Sequence, residues 1–277
     1  DPLLTIMLSS YSIKALYTLA LAEGEGMGTA YEYYAKRLAL GRWLKDRPRP
    51  ASILIAGLPE KYGASLDFLL LAGELGARVT VVDDRPAALE RLRGALAVLV
   101  GMDLPLAQPV ALVTDLPGLA ALGGRYDLAV SSEVLQRLSP DERVIYVERL
   151  RRRAAALGLF SPNADNPAHT GRSGLAGLKL DELRALLADD RQQTPGDSQK
   201  NERPTSDVHR PSSIGYIDMP PFPPGITRSD EQREQATQGA FEAFVMSGLR
   251  AYAHTERFLP GALRRRQSHI VYTLTGD

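Results

Sequence analysis

Alternation of short apolar runs with helical segments between residues 51 and 163 restricts the fold more than any other feature of the sequence. The first run, ASILIAG at 51–57, lacks polar alternation, as is typical of a strand buried on both faces of a sheet. The segment SLDFLLLAGELG at 65–76 then has helical character and ends at Gly76. Repeated strand–helix–strand order predicts parallel strands joined by right-handed crossovers, and hence an open, doubly wound α/β sheet.

Later segments extend this pattern to a mostly parallel, seven-stranded sheet. The remaining predicted strands are 77–84, 109–115, 126–133, 155–163, the start of 215–226, and 268–274. Between the second and third strands, 86–100 is helical, with Pro86 at its first position.

Two further helices carry clear start signals. Ser139, Pro140 and Glu142 form a capping box with proline at the first helical position. The face that this helix is predicted to bury consists of Val144, Val147, Leu150 and Ala154. Ser229 and Gln232 predict the start of a second long helix. Its apolar face is predicted to hold Ala240, Phe241, Phe244, Val245, Leu249 and Tyr252.

The change from helical segments to strand–helix alternation divides the chain into a helical N-terminal cap, 1–48, and an α/β domain, 49–277. Val208 is the only aliphatic residue between 191 and 213, a composition that predicts a flexible insertion or lid over about 187–228, before the last strand. The apolar N-terminal run is interrupted by Lys14, so we interpret it as a buried or lid-forming helix rather than a membrane anchor, which needs about 20 apolar residues.

Composition limits the classes of partner. Lys plus Arg and Asp plus Glu number 33 each, so no overall charge favours binding to nucleic acid or to an anionic membrane, and with the interrupted N-terminal run no stable membrane insertion is predicted. The absence of cysteine excludes disulfides, thiolate metal sites and a cysteine nucleophile, and it fits a cytoplasmic protein. No HxH, HExxH or GxSxG pattern occurs, so neither a metal site nor a serine nucleophile is predicted.

Ligands of open α/β sheets bind beyond the carboxyl ends of the strands. Candidate residues therefore follow the strands: Gly57 to Gly63, Asp83 with Asp84, Asp115, and Ser131 to Glu133. A carboxylate at the end of the second strand, such as Asp83, can accept both hydroxyls of an adenosine ribose. Alternatively, this segment simply caps the next helix.

Three adenosine cofactors compete for the loop after the first strand. NAD requires GxGxxG, which Gly57 and Gly63 do not supply. A triphosphate requires GxxxxGK[ST], but the glycine spacing here is one residue too long and Ala64-Ser65 replaces the Lys-Ser/Thr pair. S-adenosylmethionine carries no phosphate and tolerates the anionic Glu60 better.

The stretches VTVVDDRPAALERL, VTDLPGL and YDLAVSSEVLQRLSPDERVIYVERLRRRA resemble the core of the class I S-adenosylmethionine-dependent methyltransferases over roughly residues 50–165. This resemblance implies a Rossmann-like methyltransferase fold and S-adenosylmethionine as cofactor. It places Gly57, Leu58, Pro59, Glu60 and Gly63 beneath the methionine part, Asp83 and Asp84 at the ribose, Thr114, Asp115 and Leu116 beside the adenine, and Ser131, Ser132 and Glu133 at the sulfonium.

The first loop departs from the family pattern. The family's first strand usually ends in an acidic residue before GxGxG, whereas Ile55 and Ala56 stand there in this chain. The loop is also longer and contains Pro59, and Glu60 could take the place of the missing carboxylate.

The acceptor side is predicted in the loop after the fifth strand. Asn163, Asn166 and His169 are the candidate substrate-binding residues there, and His169 is the candidate general base because its ordinary pKa lies near neutrality. Alternatively, these side chains satisfy the loop backbone. The predicted function is methyl transfer to a small-molecule acceptor. A catalytically inactive scaffold that binds a partner is the alternative, an NAD-dependent enzyme is a weaker one, and a homodimer is compatible with the sequence.

Overall fold

A computed structural model describes residues 13–60, 63–120, 122–167, 170, 176–188, 213–219 and 240–276. The helices are α1 (Ile13–Ala22), α2 (Met27–Leu44), α3 (Leu66–Leu75), α4 (Pro86–Val98), α5 (Pro140–Arg153), α6 (Leu180–Ala188), α7 (Ala240–Thr255) and α8 (Gly261–Gln267). The strands are β1 (Ser52–Ala56), β2 (Arg78–Asp83), β3 (Pro109–Val113), β4 (Tyr126–Ser132), β5 (Ala154–Pro162), β6 (Ser213–Ile217) and β7 (Ile270–Gly276).

The strands form one seven-stranded sheet in the order β3-β2-β1-β4-β5-β7-β6. The five strands from β3 to β5 are parallel, and β7 runs antiparallel between β5 and β6. The chain proceeds outward from β1 through β2 to β3, and then returns to β4 on the other side of β1. This reversal is a topological switch point, and in open α/β sheets ligands bind in the crevice beyond the carboxyl ends of the strands at such a point, here β1, β2 and β4.

Helices cover both faces of the sheet and thereby bury its two surfaces. On one face, α1 to α4 and α7 pack in an apolar core that includes Tyr34, Phe68 and Phe160. On the other face, α5 and α6 pack against a second core that includes Val134 and Leu150. The predicted doubly wound, mostly parallel seven-stranded fold is therefore confirmed.

The predicted start of α5 and the predicted end of α3 both occur in the structure. Ser139 Oγ accepts a hydrogen bond from the Glu142 amide, and the Glu142 carboxylate accepts one from the Ser139 amide at 2.8 Å, so the capping box is confirmed. Gly76 ends α3 with φ +62°, a left-handed conformation that glycine adopts without steric cost.

Two predicted buried positions are wrong. Val144 is 41% exposed, because the inward face of α5 is formed by Tyr146, Val147 and Leu150. Phe244 is 78% exposed, because α7 turns Met246, Leu249 and Ala253 inward and Phe244 lies about 200° from Met246 around the helix.

Some of the other sequence predictions agree with the structure only in part, and some concern residues that it does not describe. Ala154 is buried as predicted, but it opens β5 rather than closing α5. Strand β6 lies within the range predicted as an insertion, so that range contributes to the sheet. Residues 189–212, the Ser229 helix start, and the side chains of Ala240 and Phe241 lie outside the described residues. Among the helices that are described, none has the length and apolar character needed to cross a membrane.

Candidate functional site

The turn after β1 requires glycine for two independent reasons. Gly57 has φ +76°, and its amide donates to the Val82 carbonyl at 2.8 Å. A Cβ atom at this position would lie 2.6 Å from Val134 Cγ2 and 3.2 Å from Leu116 Cδ1. Leu116, which was predicted beside the adenine, therefore packs against the first glycine. Gly63, at the other end of the loop, also has positive φ, +81°.

Asp83 is fully buried at the carboxyl end of β2, and its carboxylate is surrounded by protein donors. Oδ1 accepts hydrogen bonds from the Arg85 amide at 2.9 Å and from Arg85 Nε at 2.8 Å. Oδ2 accepts from the Leu58 amide at 2.7 Å, from Arg85 Nη2 at 3.0 Å and from Arg137 Nη2 at 3.1 Å. The carboxylate thus links β2 to the first loop and to the segment after β4.

Arg85 also reaches across the first loop. Its Nη2 lies 2.8 Å from the Leu58 carbonyl oxygen and 3.2 Å from that of Pro59, and Nη1 lies 3.3 Å from that of Glu60. Burial alone would raise the pKa of Asp83, but hydrogen bonds from Arg85 and the Leu58 amide and the charge of Arg137 outweigh it and lower that pKa. Asp83 is therefore an ionised, fully paired carboxylate.

Neighbouring predicted cofactor residues have structural partners as well. Asp84 is 41% exposed and pairs with Arg137 Nη1 at 2.7 Å. Asp115 is exposed, and its Oδ2 accepts a hydrogen bond from the Gly118 amide at 3.0 Å. Thr114 is buried, and its amide donates to the Asp83 carbonyl at 3.1 Å. These three residues directly follow the carboxyl ends of β2 and β3.

The carboxyl end of β4 supplies the other wall. Ser131 is buried with its Oγ 2.9 Å from the Tyr146 hydroxyl, which donates to the Ala56 carbonyl at 2.6 Å. Ser132 Oγ accepts a hydrogen bond from Lys36 Nζ at 2.7 Å. Glu133 follows with φ +56°, a conformation that costs a non-glycine residue free energy and is enriched at functional sites.

Lys36, on α2, is a buried cation surrounded by carboxylates. The sequence did not predict this cluster. Lys36 is 2% exposed, pairs with Glu32 and lies 5.9 Å from the ring centroids of both Phe68 and Phe160. Burial alone would lower its pKa, but the charges of Glu32, Asp67 and Glu133 raise it. Arg37 follows Lys36 directly in α2, so no local pattern in the sequence distinguishes Lys36 as the residue that contacts Ser132.

Two carboxylates near Lys36, Glu133 and Asp67, hold protons more tightly than usual. Burial, followed by the charge of Glu32, raises the pKa of Glu133 to about 8. Burial raises the pKa of Asp67 to about 6 despite the charge of Lys36. Neither oxygen of Asp67 has a hydrogen-bond donor of normal geometry among the described residues, although the Phe68 amide lies close enough to favour the charged form. This cluster is therefore poor in positive charge.

The cluster extends to residues that directly follow β6 and directly precede β7. His269 Nδ1 lies 3.1 Å from Asp218 Oδ2, and burial raises the pKa of Asp218 although His269 opposes the shift. Next to this pair, Glu256 accepts a hydrogen bond from the Tyr31 hydroxyl at 2.9 Å, and burial raises its pKa to about 7.

The two asparagines predicted to bind substrate hold the loop backbone. Asn163 Nδ2 donates to the Arg265 and Ser268 carbonyls, both at 2.8 Å. Asn166 Nδ2 donates to the Gln267 and Ser268 carbonyls at 3.1 and 3.2 Å. These contacts correspond to the structural alternative for this loop. His169 lies outside the described residues.

The fold is similar to that of a solved methyltransferase structure. No family model and no curated protein matches the sequence. A solved structure of the plantazolicin methyltransferase BpumL with S-adenosylhomocysteine is similar to this chain at TM-score 0.51 and 14% identity, over 96% of this chain and 97% of that one. Magnesium protoporphyrin IX methyltransferase from Synechocystis PCC 6803 gives TM-score 0.47 and 13% identity, over 90% and 84%. At this identity, the likeness to BpumL shows a shared fold.

Proposed function

We propose that this chain binds S-adenosylmethionine at the carboxyl ends of β1, β2 and β4 and transfers its methyl group to a small-molecule acceptor. The observation that carries the proposal is the buried Asp83 carboxylate at the switch point, held by the Leu58 amide beside Gly57. The similar fold of BpumL, which was crystallised with S-adenosylhomocysteine, supports this choice of cofactor.

The first loop suits a ligand without phosphates. In this fold, phosphates are bound by a glycine-rich turn at a helix N-terminus. Here, Leu58 is buried and Pro59 lies between it and Glu60, so residues 57–60, the described part of this loop before Gly63, offer little free backbone for a pyrophosphate. S-adenosylmethionine would supply a methyl group on a sulfonium, and Asp83, Leu116 and Glu133 are the residues proposed to lie along it.

Glu133 is the described residue best placed to accept a proton from an acceptor oxygen or nitrogen. It follows β4 in a strained conformation, the residue as a whole is neither fully buried nor exposed, and its pKa of about 8 suits proton transfer near neutral pH. Helix α2 lies over the same edge of the sheet through the Lys36–Ser132 contact, so it would exclude water from the acceptor. His169 stays a predicted alternative base.

Calorimetry with S-adenosylhomocysteine tests the cofactor assignment. The wild-type chain should release heat, and Asp83→Asn should bind about 10- to 100-fold more weakly, because a hydrogen bond to a charged group contributes about 1.5–3 kcal/mol. Asp103→Asn, at an exposed loop position, is the matched control and should bind like the wild type. Thermal unfolding of each variant verifies that it is folded. Silence both in the wild type and after removal of the Arg85 guanidinium, or equal binding by Asp83→Asn, would contradict the assignment.

The second candidate is a catalytically inactive scaffold. The observation that favours it is the saturation of Asp83 by protein donors, which leaves the ribose position filled by arginine. It predicts a folded chain that gives no heat with S-adenosylhomocysteine, whether or not Arg85 is removed, and that methylates no member of a panel of small hydroxyl and amine acceptors.

A further inference from the structure

Asp83 has no capacity left for a ligand in the described conformation. An ionised carboxylate offers about four lone-pair sites. Its two oxygens already accept five hydrogen bonds, two from backbone amides and three from guanidinium groups. A ribose can bind there only if at least one of these donors withdraws.

Arg85 contributes the donors that stand in the way of a ligand. Its side chain grips both oxygens of Asp83 in a bidentate pair and, with the same guanidinium, binds the carbonyls of Leu58, Pro59 and Glu60. It therefore spans from the end of β2 to the first loop, the space between the proposed ribose and methionine subsites.

We propose that the Arg85 side chain is an intramolecular latch that occupies the cofactor crevice and must swing outward before S-adenosylmethionine can bind. This inference rests on the proposed function and adds a regulatory step to the same site. The ribose hydroxyls then replace the guanidinium on Asp83, while the Leu58 and Arg85 backbone amides keep the carboxylate in place.

Exposure and connectivity identify Arg85, rather than Arg137, as the moving part. The Arg85 side chain is 28% exposed, whereas that of Arg137 is 11% exposed. Arg137 also pairs with Asp84 at 2.7 Å and so holds the segment after β4 against the end of β2. Arg85 is attached two residues from Asp83 itself, so its side chain can turn out to solvent without separating any elements of the fold.

The expected effect follows from population arithmetic. When a binding-competent state is populated only as a fraction of the molecules, the apparent dissociation constant rises by the inverse of that fraction. A latch closed in about 90–99% of molecules weakens binding about 10- to 100-fold. Removing the guanidinium should restore that factor.

The test is calorimetry with S-adenosylhomocysteine on the wild type, Arg85→Ala and Arg85→Gln. The matched control is Arg93→Ala, which removes the same charge from an exposed position on α4 where the side chain pairs with Glu90. Both Arg85 variants should bind at least about tenfold more tightly than the wild type, and Arg93→Ala should be unchanged. Urea unfolding of each variant establishes that it is folded. If Arg85→Ala does not fold, Arg85→Gln alone provides the test.

The outcomes separate the latch from the function on which it rests. Binding by the Arg85 variants alone, or binding that is tighter in them, supports the latch. Equal or weaker binding by the Arg85 variants overturns the latch and leaves the cofactor assignment standing. Silence from the wild type and every variant overturns both.

Discussion

Replacement of Lys36 by methionine tests the charge balance beneath α2. Methionine retains most of the apolar stem but removes the ammonium group, whose nitrogen lies 5.9 Å from the centroids of the Phe68 and Phe160 rings. Glu32, Asp67 and Glu133 then lose the cation that opposes their mutual repulsion. Lys36 is 2% exposed, so water cannot take its place.

The cost can be worked out from these contacts. Breaking a buried ion pair by removing one partner costs about 3–5 kcal/mol. The lost hydrogen bond from the ammonium to Ser132 Oγ contributes about 1.5–3 kcal/mol within that range. We therefore expect Lys36→Met to lower the free energy of unfolding by about 4 kcal/mol at pH 8. At pH 5, Glu133 and Asp67 are protonated in the folded state, because their pKa values are about 8 and about 6, and the loss should be roughly halved.

Urea denaturation at both pH values measures these losses. Lys45→Met, at an exposed position just after the same helix, is the matched control and should change stability by less than about 0.5 kcal/mol. In the double variant with Glu32→Gln, part of the loss should be recovered, with a coupling of about 0.5–3 kcal/mol. Equal losses at pH 5 and pH 8, together with strict additivity in the double variant, would refute the charge-balance reasoning.

Two further predictions concern stability. Gly57→Ala should lower the free energy of unfolding by about 3 kcal/mol, because the φ of +76° and the 2.6 Å approach to Val134 Cγ2 both penalise a Cβ atom. Gly94→Ala, in the exposed middle of α4, is the control and should raise the free energy of unfolding by about 1 kcal/mol. Similar urea midpoints for the two variants would disprove this. The free energy of unfolding should fall from pH 5 to pH 8, because Glu133, Glu256 and Asp67 have raised pKa values in the folded state. The folded state therefore binds more protons than the unfolded state in this pH range. A free energy of unfolding that stays constant or rises with pH at constant ionic strength would contradict this prediction.

The sheet and most of its elements were predictable because their signals are local. Runs such as 51–57 can be buried on both faces only between other strands, and the Ser139 capping box is formed by residues three apart. Errors arose where tertiary packing selects one rotational phase among several apolar ones. Val144 and Phe244 are examples, since each belongs to an apolar helix whose other residues face the core.

The candidate site divides along the same line. The sequence by itself determined that Gly57, Asp83 and Glu133 lie at or just after the carboxyl ends of β1, β2 and β4, and parallel pairing in order then brings the three residues to one edge of the sheet. Only the tertiary structure decided what touches them. The guanidinium groups of Arg85 and Arg137 on Asp83, and Lys36 beside Glu133, depend on side-chain directions and on contacts across as many as 96 residues of chain, as for Lys36 and Ser132. Strand periodicity fixes where a residue lies, but burial and charge pairing between distant elements fix its partners.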